Sequence, residues 1–388
     1  MRILSFSSCF PSSAAPTEGI FVFDRLSAVA QRAGVAVVHP VAVCPVLGRV
    51  CGALPPAEFE MLGGLGVYHR RYRYVPGVLK RFDGWCYYRG LLDWVARRCR
   101  RDPPDLLDAH FAWPDGVGVS LVARRLGLPY AVTLRGTINP RYRKRCFRRR
   151  LADALRSAAA VISVSTPMAR IAVELGAKPR RVYVIPNGVD SAAFGPADRG
   201  ETRRRLGLPT DRPIVVCVGS LKPAKGQEDL IRAICLMRAR PLLVLIGAAG
   251  GGAGYVRRLQ ALAQRLGLDG RVIFAGAVGR AAVAAYFNAA DASVLPSRSE
   301  GCPNVVLESL ACGTPVVAAN VGGVGELLGG RDAGLIVRPR DPAAIAAALG
   351  QTLARQWPRD AIRSCVHGRS WQTVADEVLG VLRAAVRG

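Results

Sequence analysis

The chain has 388 residues, long for one core and suited to two domains. Half of its residues are hydrophobic, which argues against a disordered chain, and 54 Lys and Arg against 28 Asp and Glu give a formal net charge of +26. Such a balance either marks an anionic partner (a phosphate ligand, nucleic acid or an acidic membrane surface) or records an Arg-rich solvated exterior.

In chain order, "MRILSFSS" reads as a first strand and is too short for a signal-peptide core. A turn-rich "SSCFPSSAAPTEG" follows, then an amphipathic "IFVFDRLSAVAQRAG". "VAVVHPVAV", "DLLDAHF", "YAVTL" and "AVISVS" are further strands, with helices expected over 84–100, 115–127 and 144–158. The segment "VIPNGVDSAAFGPADRG" has linker composition. Alternation then restarts with "PIVVCVGS", "PLLVLIG", "RVIFAG", "ASVLPS" and "PVVAA". Helices are expected over 226–237, 253–266, 280–289 and 304–312, and 341–351 and 371–386 close the chain. This alternation predicts an α/β protein of two Rossmann-like, doubly wound domains, 1–190 and 191–370, with a final helix at 371–388. The strand ends of two such domains are expected to face a central cleft.

Eleven cysteines form no C-x-x-C pair, and only four histidines are present. A metal site and a bound cofactor are therefore not expected, and free thiols suit a reducing compartment. No apolar run reaches the roughly 18 residues that span a bilayer. The expected location is the cytoplasm, with the inner membrane face as an extension of it.

Two strand-end loops carry the candidate chemistry. In "SEGCPNVVLE", Glu300 precedes a helix expected to start at Pro303 and Asn304, and Glu308 lies one turn in, on the face of Asn304. Carboxylates flanking a helix N-terminus suit a ligand with both phosphate and sugar hydroxyls, or else a surface acid and a first-turn Glu favouring the helix dipole. In "VGSLKPAKGQEDLI", Lys225 stands beside helix amides and can hold a diphosphate, or is a solvated loop lysine. The run "LIGAAGGGAGY" lacks the G-x-G-x-x-G spacing and any following Lys-Ser/Thr, so it reads as a structural loop. The loop after the first strand likewise lacks the fingerprint a Rossmann oxidoreductase needs.

In this order and spacing, "PTEGIFV", "DAHFAWPDG", "TLRGT", "VIPNGVD", "VGSLKPAKG", "EGCPNVVLE" and "ACGTPVVAANVGGVGELL" resemble the family four retaining glycosyltransferases, also called glycosyl transferases group 1, of GT-B fold. The resemblance covers nearly the whole chain. It implies transfer of a sugar from a nucleotide-sugar donor to an acceptor hydroxyl, without a metal, in cell-surface polysaccharide or glycolipid synthesis. It implies that Glu308 binds the ribose hydroxyls, that Glu300 contacts the donor sugar and that Lys225 neutralises the diphosphate. The backbone of Asn304 and Val305 would approach the donor, with Ser220 where relatives often carry Arg or Asn. Gly19 would admit a phosphate to backbone amides, and His110 would face the donor sugar or the acceptor. Arg135 stands where many relatives have His; it would hold a phosphate or pair with Asp108. The last helix would pack on the first domain.

The basic stretch "NPRYRKRCFRRRLADALRSA" (139–158) lacks the aromatic interleaving of nucleic-acid readers. Nucleic acid is therefore not the expected partner. An anionic membrane surface or lipid-linked acceptor suits it, as does a solvated surface.

Overall fold

The computed structural model describes residues 1–44, 49–50, 57–74, 77–138, 141–330 and 332–387; Asn139 and Pro140 of the basic stretch lie outside them. The chain forms two compact units, residues 1–187 with 371–388, and residues 188–370.

The first unit begins β1 (Arg2–Ser7), α1 (Ile20–Ala30), β2 (Gly34–Cys44), β3 (Arg49–Val50), β4 (Phe59–Leu62), β5 (Leu65–Arg73) and α2 (Asp83–Arg101). It continues β6 (Leu106–His110), α3 (Val117–Leu126), β7 (Tyr130–Leu134), α4 (Arg145–Ser157), β8 (Ala160–Ser163), α5 (Thr166–Glu174) and β9 (Val182–Val184). The second unit starts with α6 (Arg199–Arg205), β10 (Ile214–Val218), α7 (Gln227–Leu236), β11 (Leu242–Ile246), α8 (Ala253–Arg265), β12 (Val272–Gly276) and α9 (Arg280–Ala289). It ends with β13 (Ala292–Leu295), α10 (Asn304–Ala311), β14 (Val316–Ala319), α11 (Val324–Leu328), β15 (Gly334–Val337), α12 (Pro342–Ala354) and α13 (Arg359–Ser364). The closing helix is α14 (Trp371–Arg387).

The first sheet runs β4-β5-β2-β1-β6-β7-β8-β9, with β3 paired to β2. The second runs β12-β11-β10-β13-β14-β15. In each, the first strand has parallel neighbours on both sides, so chain direction across the sheet reverses there. Strands buried on both faces must be apolar throughout. "IVVCV" and "LLVLI" of β10 and β11 obey this.

The central strands of the first unit do not. Ser5, Ser7, Asp108, His110 and Thr133 are buried on β1, β6 and β7. Register pairs Ser5 with Asp108, Ser7 with His110 and His110 with Thr133, so the exceptions form one polar seam. The helix α14 completes this unit's core: Trp371, Val374, Val378, Leu379 and Leu382 pack with Ile3, Val29, Leu106 and Ile162. Burying each large side chain contributes about 1.5–3 kcal/mol.

Candidate functional site

In the second unit β10 and β13 are parallel neighbours. The loops leaving their carboxyl ends therefore lie side by side, although 75 residues separate Lys225 from Glu300. Lys225 closes a short turn, Pro223–Lys225, and Gly226 caps α7 with φ 70°. A side chain at Gly226 would be strained by that φ and would collide with the carbonyl of Pro296. The Arg298 amide donates to the Ala224 carbonyl at 2.9 Å, clamping the two loops. The Lys225 ammonium donates to Glu300 Oε1 at 2.6 Å, with the side chains 25% and 12% exposed. Gly323 N–H donates to the Gly301 carbonyl at 2.7 Å, bracing the Glu300 loop from the far side.

The helix α10 follows, capped by Pro303. Asn304, Val305 and Glu308 are half-buried at its start, with Glu308 one turn above Asn304. Ser220 is half-buried just past β10, and its carbonyl accepts from Gln227 Nε2 at 3.0 Å. A Cβ at Gly250 would collide with Ser220 Oγ. The glycine run 247–252 thus lets one loop pack on another, in agreement with its structural reading. The unit brings Lys225, Glu300 and the start of α10 to the switch point of one sheet. That is a cation, two carboxylates and a helix N-terminus, a set able to grip a phosphorylated sugar compound.

Gly19, His110 and Arg135 belong to the first unit. His110 is wholly buried, with its Nε2 3.0 Å from Asp108 Oδ2. Its Nδ1 lies 3.5 Å from Arg135 Nη2. These partners assign the proton to Nε2, which donates to the carboxylate, while Nδ1 accepts from the guanidinium. Burial holds the imidazole down at about 4, against the upward pull of Asp108, so it is neutral near pH 7. Burial pushes Asp108 upward, but His110 and Arg25 outweigh it and bring the carboxyl to about 2. Ser5 Oγ donates to the same carboxylate oxygen at 3.0 Å. Arg135 also donates to Asn187 Oδ1 at 3.2 Å and lies 4.8 Å from the Phe21 ring centre. Arg135 is thereby tied to Asp108 through the imidazole, and it is 3% exposed.

Gly19 caps α1 with φ 64°, and a side chain would strike the Cys9 carbonyl. Close backbone packing gives this glycine a reason independent of any phosphate. The loop that carries it is tied down twice. Ser8 donates from its amide (3.1 Å) and its hydroxyl (3.0 Å) to Asp115 Oδ2. Ser13 N–H donates to Glu60, whose Oε1 lies 2.6 Å from His69 Nε2. Asp115, Ser8, Arg25 and Asn187 were not among the sequence candidates. The signal for Asp115 was present: a carboxylate in "AWPDGVGV", an otherwise apolar run.

Burial pushes the Asp115 carboxyl up to about 8. The folded state then holds a proton that the unfolded chain has already released above about pH 4, so stability should fall as pH rises from 4 to 8. Asp115→Asn keeps an acceptor for Ser8 and removes the titration. Urea unfolding at pH 5 and pH 8 is expected to show a shallower loss in this variant than in the wild type. An equal loss in both would place the dependence elsewhere.

Among the described residues, no group of three His, Cys, Asp or Glu is placed to hold a metal ion. The fold is that of the GT-B class: HepE from Anabaena, in complex with UDP-glucose, superposes with a TM-score of 0.76 at 21% identity, covering 99% of this chain and 100% of that one. The chain belongs to the family four, or group 1, glycosyltransferases: "Glycosyltransferase Family 4" matches residues 26–193 and "Glycosyl transferases group 1" residues 198–364. TuaC of Bacillus subtilis, a glycosyltransferase assigned to teichuronic acid biosynthesis, is 32% identical over 90% of this chain and 88% of its own. The D-inositol 3-phosphate glycosyltransferase of Acidothermus cellulolyticus is 38% identical over 61% of this chain, which spans only 55% of that relative.

Proposed function

We infer that this chain transfers a sugar from a nucleotide-sugar donor to a hydroxyl of a glycan or lipid-linked acceptor, with retention, in cell-surface polysaccharide or glycolipid synthesis. The observation that carries the donor site is the 2.6 Å Lys225–Glu300 pair beside the start of α10. Family membership, a relative of teichuronic acid biosynthesis and a neighbour solved with UDP-glucose support the reading.

In this mechanism the donor diphosphate exchanges for Glu300 as the partner of Lys225, freeing the carboxylate to accept sugar hydroxyls. The bond from the anomeric carbon to the phosphate oxygen breaks, and the electron pair stays with the diphosphate. Lys225 and the first amides of α10 stabilise that charge. The acceptor oxygen bonds the same face of the sugar, and its proton passes to a leaving phosphate oxygen. No separate base is needed. Arg135 and its His110–Asp108 support are assigned to the acceptor side. Thermal shift and donor hydrolysis with a panel of sugar nucleotides, UDP-glucose first, test the reading; no shift and no hydrolysis with any of them would overturn it.

Two expectations follow from the donor chemistry. Glu308→Gln should weaken UDP binding by roughly 1–3 kcal/mol, because a carboxylate accepts two ribose hydroxyls more strongly than an amide. Calorimetry showing unchanged affinity would reject the assignment. Turnover should also survive EDTA, since Lys225 and helix amides carry the diphosphate charge. Complete loss, restored by added metal, would contradict this.

A further inference from the structure

The first unit carries an amphipathic surface that the transfer chemistry leaves unused. Between the start of α2 and one face of α3 lies a depression of about 410 Å³. Val117 and Leu121 line it, Phe82 and Trp85 form an aromatic rim, and Arg124 and Arg150 supply the charge. Trp85 is 54% exposed. The guanidinium groups of Arg81 and Arg150 lie 5.0 and 5.2 Å from the centre of the Phe82 ring.

A second depression, also about 410 Å³, runs along α4 past Arg145, Arg148, Arg149 and Arg156. These positions recur every three to four residues or its multiple, so they share one face of the helix. Phe147, Leu151 and Leu155 face the core instead. Asp153 lines both depressions, which makes them one surface. Among the described residues, six arginines and Asp153 line it, and Arg148 also pairs with Glu174 at 3.0 Å. Among the described residues, no helix is long and apolar enough to cross a membrane.

We propose that this face docks the protein on the surface of an anionic bilayer, with Trp85 and Phe82 seated at the headgroup level and the arginines on lipid phosphates. An aromatic ring left half in water beside an apolar hollow is costly in a solvated surface but suits the water–lipid boundary. Arginine stems cover apolar surface while their heads reach anionic groups. The charge complementarity selects a bilayer of acidic lipid. The proposal extends the transferase reading to where its acceptor is met, and its test contains neither donor nor acceptor. Failure here therefore leaves the transfer chemistry standing, and the reverse holds too.

The test uses the full chain with vesicles of phosphatidylcholine alone or mixed with phosphatidylglycerol. The protein should sediment only with the mixed vesicles and leave them in high salt. Brominated acyl chains should quench part of the tryptophan emission, and Trp85→Phe should abolish that part. The double variant Arg145→Glu, Arg149→Glu should lower partition about tenfold or more, with its circular dichroism unchanged. Equal binding to both vesicle types would overturn the proposal. So would quenching retained in Trp85→Phe, or capture of duplex RNA or DNA, or of a second copy, in place of vesicles. If the double variant misfolds, Arg124→Gln, on the exposed rim of α3, reads the same loss.

Discussion

Replacing Lys225 with alanine is expected to leave a folded protein that transfers sugar about 100- to 1000-fold more slowly. The fold should survive because Lys225 sits on a strand-end turn whose course is fixed by backbone contacts, the Arg298–Ala224 hydrogen bond and the cap at Gly226. The variant does leave Glu300, 12% exposed, without its ammonium partner. A partly solvated pair of this kind is worth about 1 kcal/mol, enough to lower Tm by a few degrees and no more. The kinetic loss should be larger because charge on the diphosphate grows as the glycosidic bond breaks. A cation there is worth more in the transition state than in the bound donor. Lys225→Arg should recover only part of the rate, since a planar fork does not occupy the ammonium's position. Single-turnover transfer, with circular dichroism as the folding control, reads the result. A folded Lys225→Ala protein at the wild-type rate would remove the phosphate role.

Gly226→Ala should be worse for the protein as a whole. The left-handed φ of 70° alone costs about 1–2 kcal/mol in an alanine. The collision is with main chain, the Pro296 carbonyl, just past β13 on the way to Glu300. A side-chain clash could be relieved by a rotamer change, but this one must move a loop. The expected outcome is a loss of several kcal/mol in urea unfolding, together with activity at or below that of Lys225→Ala, because both partners of the ion pair are displaced. Wild-type stability in this variant would show that the two loops are not held to each other as described.

Much of the second unit could be read in advance because its punctuation is strong. Pro303 and Gly313 bound a helix expected over 304–312 and found at Asn304–Ala311. The uninterrupted apolar strands left little choice of sheet type. Weaker patterns were passed over. The β4–β5 hairpin, joined at Gly63 and Gly64, carries three arginines and two tyrosines in "LGVYHRRYR", and its half-buried alternation resembles no core strand. Helices α11 and α13 span five and six residues, too few for a helical period to register. The Lys225–Glu300 contact lay out of reach for another reason. It depends on β10 pairing with β13 while β11 and β12 go to the other side, an order the sequence does not spell. His110 was found by motif, but its burial was set by the polar seam across three strands. That seam needed register as well as composition.

The closing helix has a consequence for how the molecule is made. Residues 188–370 form one uninterrupted stretch with cores of their own. That stretch holds every residue of both cores, so it can fold without waiting for any later segment. The first unit cannot finish so early. Ile3, Val29, Leu106 and Ile162 wait for Trp371, Val378 and Leu379, which are synthesised more than two hundred residues after the last of them. Domains usually complete in the order they emerge from the N-terminus. Here the first unit's core is completed only after every residue of the second unit has been made, and until then the apolar face that α14 covers is open to chaperones.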